Sequence, residues 1–147
     1  MYDKIVVGTD GSATATKAVV HAAKLAACTG AELHIAMATP SIPTLVSPDM
    51  MIASAEWTSA TQQATDTALQ AAAEVAQAAG AEARTHQMKG DPADALLALC
   101  DELDADVLVI GNRGMHGARR FLLGSVSNRC VHHADRTVLI VNTDRDS

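Results

Sequence analysis

Short β-branched runs alternate with helix-patterned stretches along the whole chain, and this alternation leaves few folds open. Lys4-Ile5-Val6-Val7-Gly8 reads as a first strand closed by glycine. A helix is expected from Ser12 to about Thr29, with Ala18, Ala22, Leu25 and Ala26 on one face and Gly30 as its stop. Glu32 to Met37 gives a second strand. Residues 38–53 contain Pro40, Pro43 and Pro48, which argue against a regular helix or a central strand there. Glu56 to Ala79 reads as a long helix with Leu69, Ala72, Ala76 and Ala79 on one face, ended by Gly80. Ala81 to Met88 is a weaker third strand. Asp91-Pro92 caps and starts a third helix with a buried stripe of Leu96, Leu99, Cys100 and Leu103. Val107 to Ile110 is a fourth strand, Ser125 to Ala134 a fourth helix and Val138 to Val141 a last strand.

Five strands separated by four helices describe one doubly wound, mostly parallel α/β sheet. The continuous apolar run Val107-Leu108-Val109-Ile110 suits a strand covered on both faces. A chain of 147 residues suits a single domain, with no internal repeat and no second unit. At 48% hydrophobic residues it is not disordered, and its few aromatics (Tyr2, Trp57, Phe121) require a core of small aliphatics and alanine. No apolar run reaches the roughly 18–20 residues of a membrane span. The start runs straight into a strand, so no signal peptide and a cytoplasmic location are expected. Cys28, Cys100 and Cys130 lack any CxxC spacing and are expected to be buried free thiols in a reducing compartment.

Chemistry is expected in the loops leaving the carboxyl ends of the strands. After the first strand comes Gly8-Thr9-Asp10-Gly11-Ser12. After the fourth comes Gly111-Asn112-Arg113-Gly114, then nine residues, then Gly124-Ser125-Val126-Ser127 opening a helix. The second segment is built as a phosphate cradle. Gly111, Gly114 and Gly124 let main chain approach a ligand without a Cβ clash. The amides of Ser125, Val126 and Ser127 point along the helix dipole toward an anion, and the two serine hydroxyls can donate to it. Net charge is −6, yet five arginines fall between Arg113 and Arg136. A local basic excess in an acidic chain fits a small anionic ligand rather than a nucleic-acid track. No lysine precedes Ser125, which excludes a Walker loop, and Gly8 and Gly11 alone do not make a dinucleotide fingerprint.

With Gly111, Gly114, Gly124 and Ser125 at Gly-x2-Gly-x9-Gly-Ser spacing, the chain resembles the ATP-binding branch of the universal stress protein family. The opening Ile5-Val6-Val7-Gly8-Thr9-Asp10-Gly11-Ser12 and the ending Val138-Leu139-Ile140-Val141 are similar to that family's ends. The resemblance implies a sheet of order 3-2-1-4-5, nucleotide bound between strands one and four, and a homodimer. It places Asp10 near adenine and ribose, backbone around Met37-Ala38 against the adenine, and the glycines and serines on the phosphates. Site residues expected on this basis are Thr9, Asp10, Gly11, Met37, Ala38, Gly111, Asn112, Arg113, Gly114, Gly124, Ser125, Val126 and Ser127. The dimer also follows from the residues, because Val138 to Val141 is an apolar terminal strand whose open edge needs a partner.

Plainer roles stand beside these. Asp10 and Ser12 can serve as turn and helix caps, and Ser125 as an ordinary cap. Arg119 and Arg120 can line a solvated loop, while Arg129 and Arg136 are expected at the surface. His132-His133 near Cys130 cannot form a closed metal site from one helix and are expected to interact with the helix dipole. Ile42, Leu45, Val46, Met50, Met51 and Ile52 could form a flap, a partner surface or packing at the sheet edge. The expected function is nucleotide-dependent regulation of an unidentified protein partner, with ATP as first ligand and magnesium held loosely through phosphate and Asp10. Competing readings are a slow ATPase or self-phosphorylating protein using Ser125, Ser127 or His116, a protein for AMP or cyclic AMP, and a structural dimer without ligand.

Overall fold

The computed structural model describes residues 1–41, 47–112 and 123–143. Its elements are β1 (Lys4–Gly8), α1 (Ala13–Thr29), β2 (Glu32–Thr39), α2 (Pro48–Ala78), β3 (Ala83–Lys89), α3 (Pro92–Leu103), β4 (Val107–Gly111), α4 (Ser125–His133) and β5 (Thr137–Val141). The strands form one sheet of order β3-β2-β1-β4-β5, and every pairing is parallel.

Alternation along the strands divides the core in two. Ile5, Val7, Leu33, Ile35, Val107 and Val109 face α1 and α2, meeting Ala18, Ala22, Ala26, Leu69 and Ala76. Val6, Ala36, Leu108 and Ile110 face the other way, against Leu96, Leu99 and Cys100 of α3 and Cys130 of α4. Both faces of the central strands are covered, which is why they are apolar without alternation. Burial of each Val, Leu or Ile side chain stabilises by about 1.5–3 kcal/mol. The alanines let α1 lie close to the sheet. Gly8 serves the second face, where a Cβ would stand 2.7 Å from Leu96 Cδ1.

Three expectations need correction. The prolines do not exclude a helix from residues 38–53: β2 runs to Thr39, and α2 starts at Pro48 rather than Glu56. Ser47 caps it, its hydroxyl accepting from Met50 N, and Pro48 sits in the first turn, where its missing N–H costs nothing. This early part of α2 is solvent-facing, with Met50, Met51 and Ile52 more than half exposed, so these three side chains leave an apolar surface uncovered. Ile42, Leu45 and Val46 lie outside the described residues.

Cys28 is exposed, whereas Cys100 and Cys130 are buried. Its place in an apolar-looking helix hid the fact that it lies on the outer face of α1. Burial pushes the thiol of Cys100 up to about 12 and that of Cys130 up to about 11. One thiol per native chain is therefore expected to react with a disulfide reagent at pH 8, and three after denaturation; two fast native thiols would contradict this burial.

Arg136 is not a surface residue, because its side chain is only 13% exposed. It donates to the carbonyls of Cys100 (2.9 Å) and Ala105 (2.7 Å), closing the C-terminal end of α3. Asp135 (2.9 Å) and Asp101 balance its charge. Arg136→Ala takes the donor from the Ala105 carbonyl, one of two donors from the Cys100 carbonyl, and the cation from Asp101 and Asp135, so a loss of about 1–3 kcal/mol is expected in urea unfolding, with Arg136→Lys recovering only part.

Candidate functional site

Parallel pairing of β1 with β4 sets the site. Ile5, Val6 and Val7 lie opposite Val107, Leu108 and Val109, so the two strands end side by side. The chain leaves β1 toward β2 on one side, while β4 continues to β5 on the other. Their carboxyl ends thus flank the point where the winding reverses, at a strand spacing of about 4.8 Å.

The loop after β1 is fixed by its own polar groups. Thr9 N donates to Ala36 O of β2 (2.9 Å). Thr9 Oγ1 accepts from Gly11 N (3.2 Å), and Asp10 Oδ1 accepts from Ser12 N (2.9 Å). Ser12 then caps α1, accepting from Ala15 N (3.2 Å). Ser12 is the cap, and Asp10 closes the preceding turn with one carboxylate oxygen. Gly11 has φ +81, a backbone state that disfavours side chains. A Cβ there would stand 3.8 Å from Met37 Cε, so the fold brings Gly11 and Met37 together. Ala38 lies one residue further along β2, in register with Met88.

The loop after β4 is anchored at both ends by Asn112. Its N–H donates to Val141 O (2.9 Å), and its carbonyl accepts from Gly124 N (2.8 Å). Its side-chain Oδ1 accepts from Thr143 N (3.0 Å) and Thr143 Oγ1 (2.7 Å). Gly111, Asn112, Gly124 and the start of α4 are thereby gathered beside the end of β5. Arg113 and Gly114, with His116, Arg119 and Arg120, lie outside the described residues.

Gly124 is the N-cap of α4 and makes no side-chain cap hydrogen bond. The amides of Ser125, Val126 and Ser127 follow it in the first turn, which carries no acidic residue, while His132 and His133 occupy the last turn. Every charge on the helix therefore leaves its N-terminus attractive to an anion. The two serines differ. Ser127 is buried and donates its hydroxyl proton to Gly124 O (3.0 Å), whereas Ser125 is exposed. Only the Ser125 hydroxyl is presented outward, contrary to the expectation that both would donate to a ligand.

Lys17 and Thr143 carried no signal in the sequence. Lys17 Nζ donates to Thr143 O (2.9 Å), tying α1 to the residue that Asn112 also holds. No motif encodes this, since both partners lie far apart in the chain. A cavity of about 260 Å³ opens elsewhere, between α2 and the ends of β2 and β3, beside Thr39, Trp57 and Lys89. It is separate from the β1/β4 junction. Among the described residues no helix is long and apolar enough to cross a membrane. No group of three or more His, Cys, Asp or Glu among them is placed to hold a metal.

The model of the universal stress protein family matches residues 1–142. The chain belongs to that family. It is 36% identical over 148 residues to universal stress protein Rv1636 of Mycobacterium tuberculosis, covering 97% of each chain. A universal stress protein solved in complex with cAMP shares 35% identity at a TM-score of 0.76, covering 97% of this chain and 98% of that one. The Archaeoglobus fulgidus universal stress protein solved in complex with dAMP shares 25% identity at a TM-score of 0.68, covering 95% and 97%.

Asn112→Ala is expected to leave the buried Thr143 N–H and hydroxyl without an acceptor and to cost about 1–3 kcal/mol. Urea unfolding reads the loss, and faster hydrogen exchange at Thr143 than at β1 locates it. Asn112→Asp, which keeps the acceptor, should retain most of the protection.

Proposed function

We infer that this protein binds an adenine nucleotide at the junction of β1 and β4 and couples that binding to recognition of a protein partner. What carries the reading is the start of α4, a helix N-terminus without a side-chain cap, set at the winding reversal of a parallel sheet. The family supports it, since two similar members were solved with cAMP and with dAMP. In this reading phosphate rests on the amides of Ser125, Val126 and Ser127 and on the Ser125 hydroxyl. Gly111 and Gly124, with Arg113 and Gly114 of the same motif, let main chain and charge come close. Asp10, Thr9 and Gly11 face the sugar, and Met37-Ala38 borders the base. Asn112 belongs to the same set and also holds the cradle in place, since both its carbonyls are engaged within the protein.

ATP is the first ligand to test, with magnesium held by its phosphates and Asp10. AMP and cyclic AMP compete on equal chemical terms, because the same amides serve one phosphate or three. A cytoplasmic protein of this kind would act as a homodimer. β5 is an edge strand with Val138, Leu139 and Ile140 only partly covered, and pairing with a second β5 would satisfy it.

Calorimetric titration with ATP, ADP, AMP and cyclic AMP, with and without magnesium, tests the proposal and ranks the ligands. No saturable binding of any of them at millimolar concentration would refute it. Gly124 has φ −61, which any residue adopts, so Gly124→Asp can supply the missing cap. It should leave thermal stability unchanged or slightly raised while weakening nucleotide binding at least tenfold, because a carboxylate then occupies the amides.

A further inference from the structure

His34 of β2 and His86 of β3 lie within the sheet, away from the candidate nucleotide site. His34 Nδ1 and His86 Nε2 are 2.9 Å apart, with ring centroids at 5.1 Å. His34 is only 2% exposed. Among the described residues its other nitrogen, Nε2, has no hydrogen-bond partner, and it faces Glu32 Oε2 at 3.5 Å. These contacts select the tautomers. A bare lone pair on Nε2 would face a carboxylate, so Nε2 carries its proton and Nδ1 accepts from His86 Nε2.

The pair has little room for more protons. One added to His86 Nδ1 leaves the hydrogen bond intact. A second must go to His34 Nδ1, and two N–H groups would then point at each other across 2.9 Å. Charges around the pair do not favour double protonation. Glu32 on β2 attracts a proton to His34, while Arg84 on β3 and Lys4 on β1 oppose it. Around His86, Glu102 of α3 attracts, while His34 and Arg84 oppose. Burial is the largest influence on both rings and holds both below the ordinary value of 6.5.

We propose that the His34–His86 pair is a proton-operated latch that releases edge strand β3 from β2 as pH falls below neutral. β3 pairs with β2 alone, from Leu33↔Ala83 to Thr39↔Lys89, and much of it is exposed. Opening this ladder parts the two rings and so removes the opposition of N–H groups that keeps the second proton off. The sign follows from proton binding. The opened strand binds protons with affinity near 6.5 and the closed one more weakly, so closure is fully favoured above 6.5 and weakens as pH drops below it. Each proton taken up on opening multiplies the open population about tenfold per pH unit within that window. The freed edge of β2 is then available for strand addition.

Amide hydrogen exchange between about pH 8 and pH 5, corrected for intrinsic rates, tests the latch. Protection of Ala83–Lys89 should fall by about tenfold or more per pH unit below 6.5, while the β1 and β4 amides keep theirs. A His34→Gln and His86→Gln double variant, which can keep an interstrand hydrogen bond without titrating, should lose this dependence. Equal loss at β1 and β3, or an unchanged slope in the variant, would overturn the proposal. Ring nitrogen shifts of the unaltered protein give a second test that needs no variant. Uptake of one proton by the folded pair supports the latch, and two rings titrating independently near 6.5 sink it.

Discussion

The parallel contact between β1 and β4 is the constraint on which the rest depends. These strands are separated by about a hundred residues of chain, and their pairing requires β3 to cross over before β4 begins. The crossover splits the helices between two faces, α1 and α2 on one and α3 and α4 on the other. It also brings two loops to a common edge. Without it, the turn after β1 and the start of α4 would have no reason to meet.

Around that contact the polar groups are arranged so that rigidity and vacancy sit next to each other. Asn112 uses both its carbonyls and its N–H within the protein, and Lys17 holds the same terminal segment from α1. One residue beyond the Asn112–Gly124 bond, α4 begins without a side-chain cap. A capping serine or aspartate at position 124 would have contributed stability at no conformational penalty. Its absence marks the place where local stability has been given up, and such departures gather at functional sites.

Most of the architecture was legible because period and punctuation agree. β-branched runs closed by glycine, alanine faces at helical spacing and Asp91-Pro92 all pointed to the elements that formed. The failures have separate physical causes. Pro48 was taken as a breaker, although after Ser47 it occupies the helix position that tolerates proline best. Cys28 and Arg136 were misplaced because local pattern does not show which face of a helix a neighbour covers, nor which carbonyls a distant turn leaves open. At the candidate site, Thr9, Asp10 and Gly11 were expected from strand-end position and Met37 from the resemblance, and the fold brings Gly11 beside Met37. The roles of Lys17 and Thr143 were invisible, since they depend on a contact between the two ends of the chain.

The chain's one tryptophan, Trp57, stands on the outer part of α2, about half exposed, while the core is built from aliphatic side chains. Its interior is therefore almost silent in the ultraviolet. Indole emission reports the outer part of one long helix and its neighbours Thr39 and Lys89 at the ends of β2 and β3, and it does not see the central strands. For this molecule the optical signal samples one edge of the cooperative unit, so a dye placed on that helix would report that edge and leave the central strands to backbone probes.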